Sequence, residues 1–264
     1  MTKGRILAGL DAGHVMTKAV LMNGQDILGV AATPTGLDVN AAARAALHEA
    51  LKTAGVAHGE LEGIFATGIF RDMIQDLPLK VTTTIPDYMA DAKGSLFLNR
   101  NSRSVIDMGG NIHKAVSYDE RGNLIDVIQN DKCADGLGIF YSTMADALGV
   151  SEEELSELAL KSTKSASVAI QCAASAESEA IDLLCQGVDV ADVADAISRF
   201  IIERVAAMCT CMPLNREIVV AGGLAKSKAL MKHLPVLLKQ DVSVSRLPDY
   251  VGAIGAVMSN EGGK

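Results

Sequence analysis

Apolar residues come in short runs at the start of the chain, and the same succession of runs returns about 96 residues later. ILAGLDAG (6–13) is an apolar strand ending in Asp-Ala-Gly, and VMTKAVLMNG (15–24) follows as a second strand. Asn23-Gly24 is a hairpin signal, because both residues tolerate the positive φ of a tight two-residue turn, and DILGVAA (26–32) is the third strand. Between residues 39 and 54 the apolar spacing changes to three and four, which predicts a helix with Gly55 as its stop. GIFATG (63–68) reads as a short buried strand, and Pro86 as the start of a helix reaching about Leu98.

The pattern then restarts. SVIDMGG (104–110) is an apolar strand ending in Asp-Met-Gly-Gly, HKAVSYD (113–119) is the next, and after a turn from Asp119 to Asn123 comes LIDVIQN (124–130). Helical spacing follows at roughly 136–148, 151–161, 173–187 and 190–211, with Ser151 and Glu154 forming an S-x-x-E capping box. REIVVAGG (216–223) is a buried strand, 226–239 a helix, 242–246 a short strand, and 249–260 a last helix with small residues on one face. The unit strand, turn, strand, hairpin, strand, helix thus occurs twice, keyed by Asp11-Ala-Gly and Asp107-Met-Gly. No Pro- or Ser-rich linker separates the copies. The expected fold is α/β, two similar lobes around a cleft: 1–98 and 99–264, with the 249–260 helix packing back on the first.

Composition narrows the partners. With 49% hydrophobic and 21% charged residues the 264-residue chain is expected to fold around a sizeable core. A net charge of −8, no tryptophan and 3% aromatics argue against nucleic acid and anionic lipid surfaces. The run before Asp11 is too short for a signal-peptide core, and no stretch of ~18 uncharged apolar residues occurs, so no membrane span is expected. Five cysteines, an odd number, fit a reducing, cytoplasmic setting in which they serve as core residues, thiolates or metal ligands.

An isolated Asp-x-Gly is a common turn. Two at corresponding strand ends have a use: glycine lets the backbone approach a ligand, turn N–H groups point at an anion, and each carboxylate can hold Mg2+ through water. Facing each other, the turns at Asp11-Gly13 and Asp107-Gly109-Gly110 can grip a polyphosphate from both sides. Lys18 and Thr17 stand beside the first turn as a cation and a hydroxyl. In VVAGGLA (219–225), Gly222 and Gly223 form a strand-to-helix turn against which a nucleoside can lie. No Walker sequence and no G-x-G-x-x-G after a strand is present, which disfavours P-loop and Rossmann sites.

Two cysteines open helical segments: Cys133 in NDKCADGLGIF and Cys172 in AIQCAASAESE. A helix N-terminus favours thiolate and an anionic thiolate-bound cluster. Buried free cysteine is the ordinary reading. The alternative is two ligands of a [4Fe–4S] cluster, which needs four, the other two coming across a dimer axis.

The order of phosphate, phosphate and adenosine motifs resembles the actin, Hsp70 and sugar-kinase fold. The string DKCADGLG, followed about 35 residues later by CAASAESE, resembles the ATP-dependent activators of 2-hydroxyacyl-CoA dehydratases and the ATPase subunits of benzoyl-CoA reductase (the BadF/BadG/BcrA/BcrD ATPases). The resemblance spans nearly the whole chain. It implies a homodimer, or a dimer of related subunits, holding one [4Fe–4S] cluster between Cys133 and Cys172 of each protomer. ATP hydrolysis would then drive a low-potential electron, drawn from a ferredoxin or flavodoxin, into a dehydratase or reductase. It further implies phosphate roles for Asp11, Gly13, Lys18, Asp107, Gly109 and Gly110, adenosine contacts at Gly222 and Gly223, and a ribose contact at Glu177. Gly136 and Gly138 would couple cluster and nucleotide.

The chain departs from that pattern. His14 and Val15 replace the hydroxyls after the first turn, Asn111 and Ile112 replace Gln-Asp after the second, and Leu137 replaces a threonine. Each departure removes a polar group near the expected phosphates, so two further readings stay open: a nucleotide-binding assembly subunit without turnover, and a small-molecule kinase of the same fold. Cys185 and the pair Cys209 and Cys211 read as core, the eleven methionines as packing. His48, His58 and His233 read as solvated, while His14 and His113, at the two turns, are candidates for phosphate contact.

Overall fold

The computed structural model describes residues 5–75, 77, 79–131, 134–164, 173–215 and 217–260, with 173–177 as backbone only. Two five-stranded sheets share one topology. The first comprises β1 (Ile6–Ala12), β2 (Met16–Asn23), β3 (Asp26–Pro34), β4 (Leu61–Thr67) and β5 (Thr83–Thr84), in the order β3-β2-β1-β4-β5. The second comprises β6 (Ser104–Met108), β7 (His113–Tyr118), β8 (Leu124–Gln129), β9 (Ile218–Ala221) and β10 (Val242–Val244), in the order β10-β9-β6-β7-β8. Read from β8, that is the first sheet again, with an antiparallel three-strand meander followed by two parallel strands. The repetition extends to register: Asp11 pairs with Lys18 across β1 and β2, and Asp107 with Lys114 across β6 and β7.

The helices are α1 (Val39–Ala54), α2 (Asp87–Leu98), α3 (Leu137–Ala147), α4 (Glu152–Leu160), α5 (Ala173–Cys185), α6 (Val190–Cys209), α7 (Lys228–Leu238) and α8 (Val251–Met258). Their ends follow capping chemistry. The Asp38 side chain accepts from Ala41 N, Gly55 closes α1 in the left-handed region, and Ser151 and Glu154 make a reciprocal box on α4. Period-two burial then sets the layers. Ala8, Leu10 and Ala12 face α1, while Leu7 on the opposite face of β1 packs with Ala253 and Ile254 of α8. In the second sheet Ile106 and Met108 face α3, α6 and α7, whereas Val105 and Val116 pack with Ala92 of α2 and Val251 of α8. Helices α2 and α8 therefore lie between the sheets, and every residue from Val251 to Val257 is buried.

These two helices cross at glycine. A Cβ on Gly255 would lie 1.7 Å from Ala90 O, and one on Gly94 2.0 Å from Val251 O, so no other residue fits without separating the pair. Among the described residues no helix is long and apolar enough to cross a membrane. Three expectations need correction. Cys185, at the end of α5, and Cys211, just past the end of α6, are exposed rather than core, and of the three described cysteines only Cys209 is buried. His233 is partly buried, its Nε2 2.7 Å from Asp195 Oδ1, tying α7 to α6.

Candidate functional site

A cleft of about 700 Å³ opens between the ends of β1 and β6. Asp11, Gly13, Lys18, Asp107, Gly109 and Gly110 line it, and Gly138, Gly222 and Gly223 complete the set brought together from the sequence reading. The two turns are built alike. Gly13 N–H donates to Met16 O at 3.1 Å and Gly109 N–H to Ile112 O at 3.2 Å, each closing a two-residue loop. At the loop tips the N–H groups of His14, Val15, Gly110 and Asn111 find no acceptor among the described residues. Backbone donors left open at two opposed turns are the chemistry of an anion site. Gly222, at φ +85°, lies against the end of β6; a Cβ there would meet Met108 O at 2.3 Å and Asp107 Oδ1 at 2.7 Å. Only glycine allows this third turn to reach the floor of the cleft.

The floor is a network of charge. Lys18 Nζ is 3.1 Å from Asp11 Oδ2. Lys114, its counterpart, is ringed by three carboxylates: Asp91 at 2.8 Å, Asp87 at 2.9 Å and Asp107 at 3.2 Å. Burial opposes the charge on both lysines, but the carboxylates outweigh it and hold both above the usual lysine range. Burial pushes the Asp91 carboxyl up to about 8, with Lys114 pulling the other way and Asp107 and Asp87 adding to the rise. Asp87 is held below the ordinary carboxylate range because Lys114 outweighs its burial. At the mouth, Lys226 reaches Asp249 at 3.0 Å.

The sequence reading missed Lys114, Asp87 and Asp91. A signal for the first was present: D-x-G-x-x-x-x-K occurs at 11–18 and again at 107–114. Other expectations moved. Thr17, expected beside the phosphates, is buried with its hydroxyl 2.9 Å from Thr35 Oγ1, and Thr35 in turn donates to Gly13 O at 2.8 Å, bracing the first turn from behind. His14 lines the cleft but sets its ring edge-on to Phe70, with 5.2 Å between centroids. His113 is buried on the opposite side of β7 from Lys114, with neither ring nitrogen bonded among the described residues, and burial pushes it down to about 4. The two histidines do not face each other. Leu137, expected as a lost hydroxyl, is a core residue of α3, whereas Val15 and Ile112 do line the cleft.

Gly136 does not line the cleft; its N–H donates to Asn111 O, and Ile139 N–H to Gly110 O, both at 2.9 Å. The second turn is thus bonded to the start of α3. Cys133, Cys172 and the side chain of Glu177 lie outside the described residues. Of the other cysteines, Cys209 is buried, its thiol pushed up to about 12 by burial, and Cys185 and Cys211 are exposed. No three His, Cys, Asp or Glu side chains among the described residues form a metal-holding group.

Comparison with known proteins agrees with this geometry. The sequence profile described as the BadF/BadG/BcrA/BcrD ATPase family matches residues 8–259. The activator of lactoyl-CoA dehydratase of Anaerotignum propionicum is 30% identical over 251 residues, covering 95% of each chain. The structure of (R)-2-hydroxyglutaryl-CoA dehydratase component A from Acidaminococcus fermentans superposes with a TM-score of 0.91 at 27% identity, covering 98% of this chain and all of that one. The activator of the 2-hydroxyisocaproyl-CoA dehydratase from Clostridium difficile, with bound ADPNP, gives 0.89 at 27% identity, covering 96% and 93%. A ROK family glucokinase from Streptomyces griseus, at 13% identity and a TM-score of 0.59 over 95% of this chain and 97% of its own, shares the fold.

Proposed function

The chain belongs to the BadF/BadG/BcrA/BcrD ATPase family, and from that premise we propose that it is an ATP-dependent activator delivering low-potential electrons to an acyl-CoA dehydratase or reductase. The observation that carries the reading is the pair of D-x-G-x-x-x-x-K turns, each with open N–H groups at its tip, meeting at one cleft. Residues 1–98 would form the lobe of the first turn and 99–264 that of the second.

In this reading the amides of residues 14, 15, 110 and 111 hold phosphate oxygens, and Gly222-Gly223 lets the nucleoside lie against backbone. Asp11 and Asp107 fit a divalent cation bound through water. Even with Asp91 protonated, the three other carboxylates of the floor outnumber its two lysines, a surplus of negative charge that Mg2+ would offset. A change in the spacing of the turns passes through the Gly110 and Asn111 carbonyls to the start of α3, the helix that follows Cys133 in sequence.

Cys133 and Cys172 would hold the [4Fe–4S] cluster. Such a cluster needs four thiolates, so two from each chain would require a second protomer. When bound, that group supplies one-electron chemistry at low potential. The free thiols fit a reducing, cytoplasmic setting, with a ferredoxin or flavodoxin as donor.

A second reading, a nucleotide-binding subunit without turnover, is favoured by Val15 and Ile112, which present apolar groups to the cleft. One anaerobic sample separates the two. Iron and sulfide near four per dimer together with ATP hydrolysis support the activator; ATP binding with neither supports the assembly subunit. Phosphorylation of a small molecule by iron-free protein would overturn both in favour of a kinase.

A further inference from the structure

Val15 stands at the tip of the first turn, 41% exposed, and touches the second turn directly. A Cβ built on Gly110 would lie 2.4 Å from Val15 Cγ2 and 3.0 Å from its Cβ, so the isopropyl group is seated on the bare Cα of Gly110. On its far side Gly110 is backed by α3. A Cβ on Gly138 would be 2.6 Å from Gly110 Cα and 2.6 Å from Gly109 O. Val15, Gly110 and Gly138 therefore form one line of contact from the first turn, across the cleft, into the helix start. The open N–H groups flank this contact, and a valine side chain offers an anion nothing.

We propose that Val15 is a positioning residue, an apolar strut that sets the resting gap between the two turns and must leave Gly110 before a polyphosphate can be held by both. The proposal rests on the nucleotide reading given above. Three physical facts support it. The contact is made between close-packed groups, so a gap of half an ångström already forfeits much of it. The turn it presses is bonded to α3 at Gly110 O, so withdrawal is felt there. Glycine at 110 and 138 leaves no side chain that can yield in place of Val15.

Valine, alanine and threonine separate the strut from simple chemistry, because threonine keeps valine's shape while adding a hydroxyl. Binding of a fluorescent ADP analogue is measured on the full chain carrying Val15→Ala or Val15→Thr. The strut predicts at least threefold tighter binding for alanine and less than twofold change for threonine. Alanine equal to wild type, or threonine tightened with alanine unchanged, overturns it; in the second case the missing hydroxyl is what limits binding. No binding by wild type or either variant at millimolar nucleotide overturns the nucleotide reading itself. A second test needs no nucleotide. Gly110→Ala crowds Val15 and lowers the melting temperature, and adding Val15→Ala restores it if the two groups meet. Additive losses in the double variant overturn the contact.

Discussion

Replacing Asp91 by asparagine should make the protein more stable, increasingly so as pH rises. Lys114 is one cation among three carboxylates, at 2.8, 2.9 and 3.2 Å. Asp91 is the most deeply buried of the three, and its carboxyl is pushed from 3.8 up to about 8, by burial first. In the folded protein near pH 7 it holds its proton; in the unfolded chain it has lost it. A folded-state value above the unfolded one gives stability that is complete below about pH 4 and is lost progressively as pH climbs to about 8. At ~1.4 kcal/mol per pH unit the loss has a ceiling on the order of 5 kcal/mol. The neighbouring carboxylates take up part of it, so we expect a gain on the order of 2 kcal/mol for Asp91→Asn at pH 8 relative to pH 4.5. That corresponds to roughly 4–8 °C in melting temperature for a chain of this size. Asparagine has the shape of the protonated acid, so near pH 4.5 the variant should match wild type. Urea and thermal unfolding from pH 4 to 9 measure the difference. A difference that does not vary with pH, or a variant weaker at pH 8, would show that Asp91 is ionised and needed by Lys114. The opposite perturbation, Lys114→Met, leaves Asp87, Asp91 and Asp107 facing one another and should cost ~3–5 kcal/mol.

The remaining predictions concern packing and accessibility. Gly255→Ala gains ~1 kcal/mol of helix propensity but drives a methyl to 1.7 Å from Ala90 O. Overpacking of ~1–3 kcal/mol or more wins, and a melting curve should fall. Gly222→Ala, at φ +85° and 2.3 Å from Met108 O, should lose nucleotide affinity at least tenfold while the circular dichroism spectrum stays native; unchanged affinity would remove that turn from the site. Thiol alkylation of native protein followed by mass mapping should label Cys185 and Cys211 but reach Cys209 only on unfolding, since burial suppresses its thiolate at neutral pH.

Most of the fold was legible because its elements are bounded by strong local signals. Asn23-Gly24, Asp38, Gly55 and the Ser151–Glu154 box each fix an end through one identifiable contact. What escaped was non-local. Thr83-Thr84 is too short to carry a period, and only its pairing with Phe65 and Ala66 makes it a strand. Asp87 and Asp91 sit four apart on a helix, the spacing of an ordinary solvated face, and only the sheet β6–β7 arriving opposite them turns that face inward. Lys114 was hidden within an apolar strand, although its spacing from Asp107 repeats that of Lys18 from Asp11. Thr17 was misjudged because a hairpin residue one place along points to the other face of the sheet.

The enclosure of α8 has a consequence for biosynthesis. The inner surface of the first sheet is complete only once a segment made roughly 240 residues after β1 has left the ribosome. Until then Leu7, Val20 and Met22 lack the cover that Ala253, Ile254, Ala256 and Val257 give them, and the emerging chain keeps apolar surface that needs shielding. Maturation of this protein should therefore be gated by the synthesis of α8 rather than by the folding of its earliest strands.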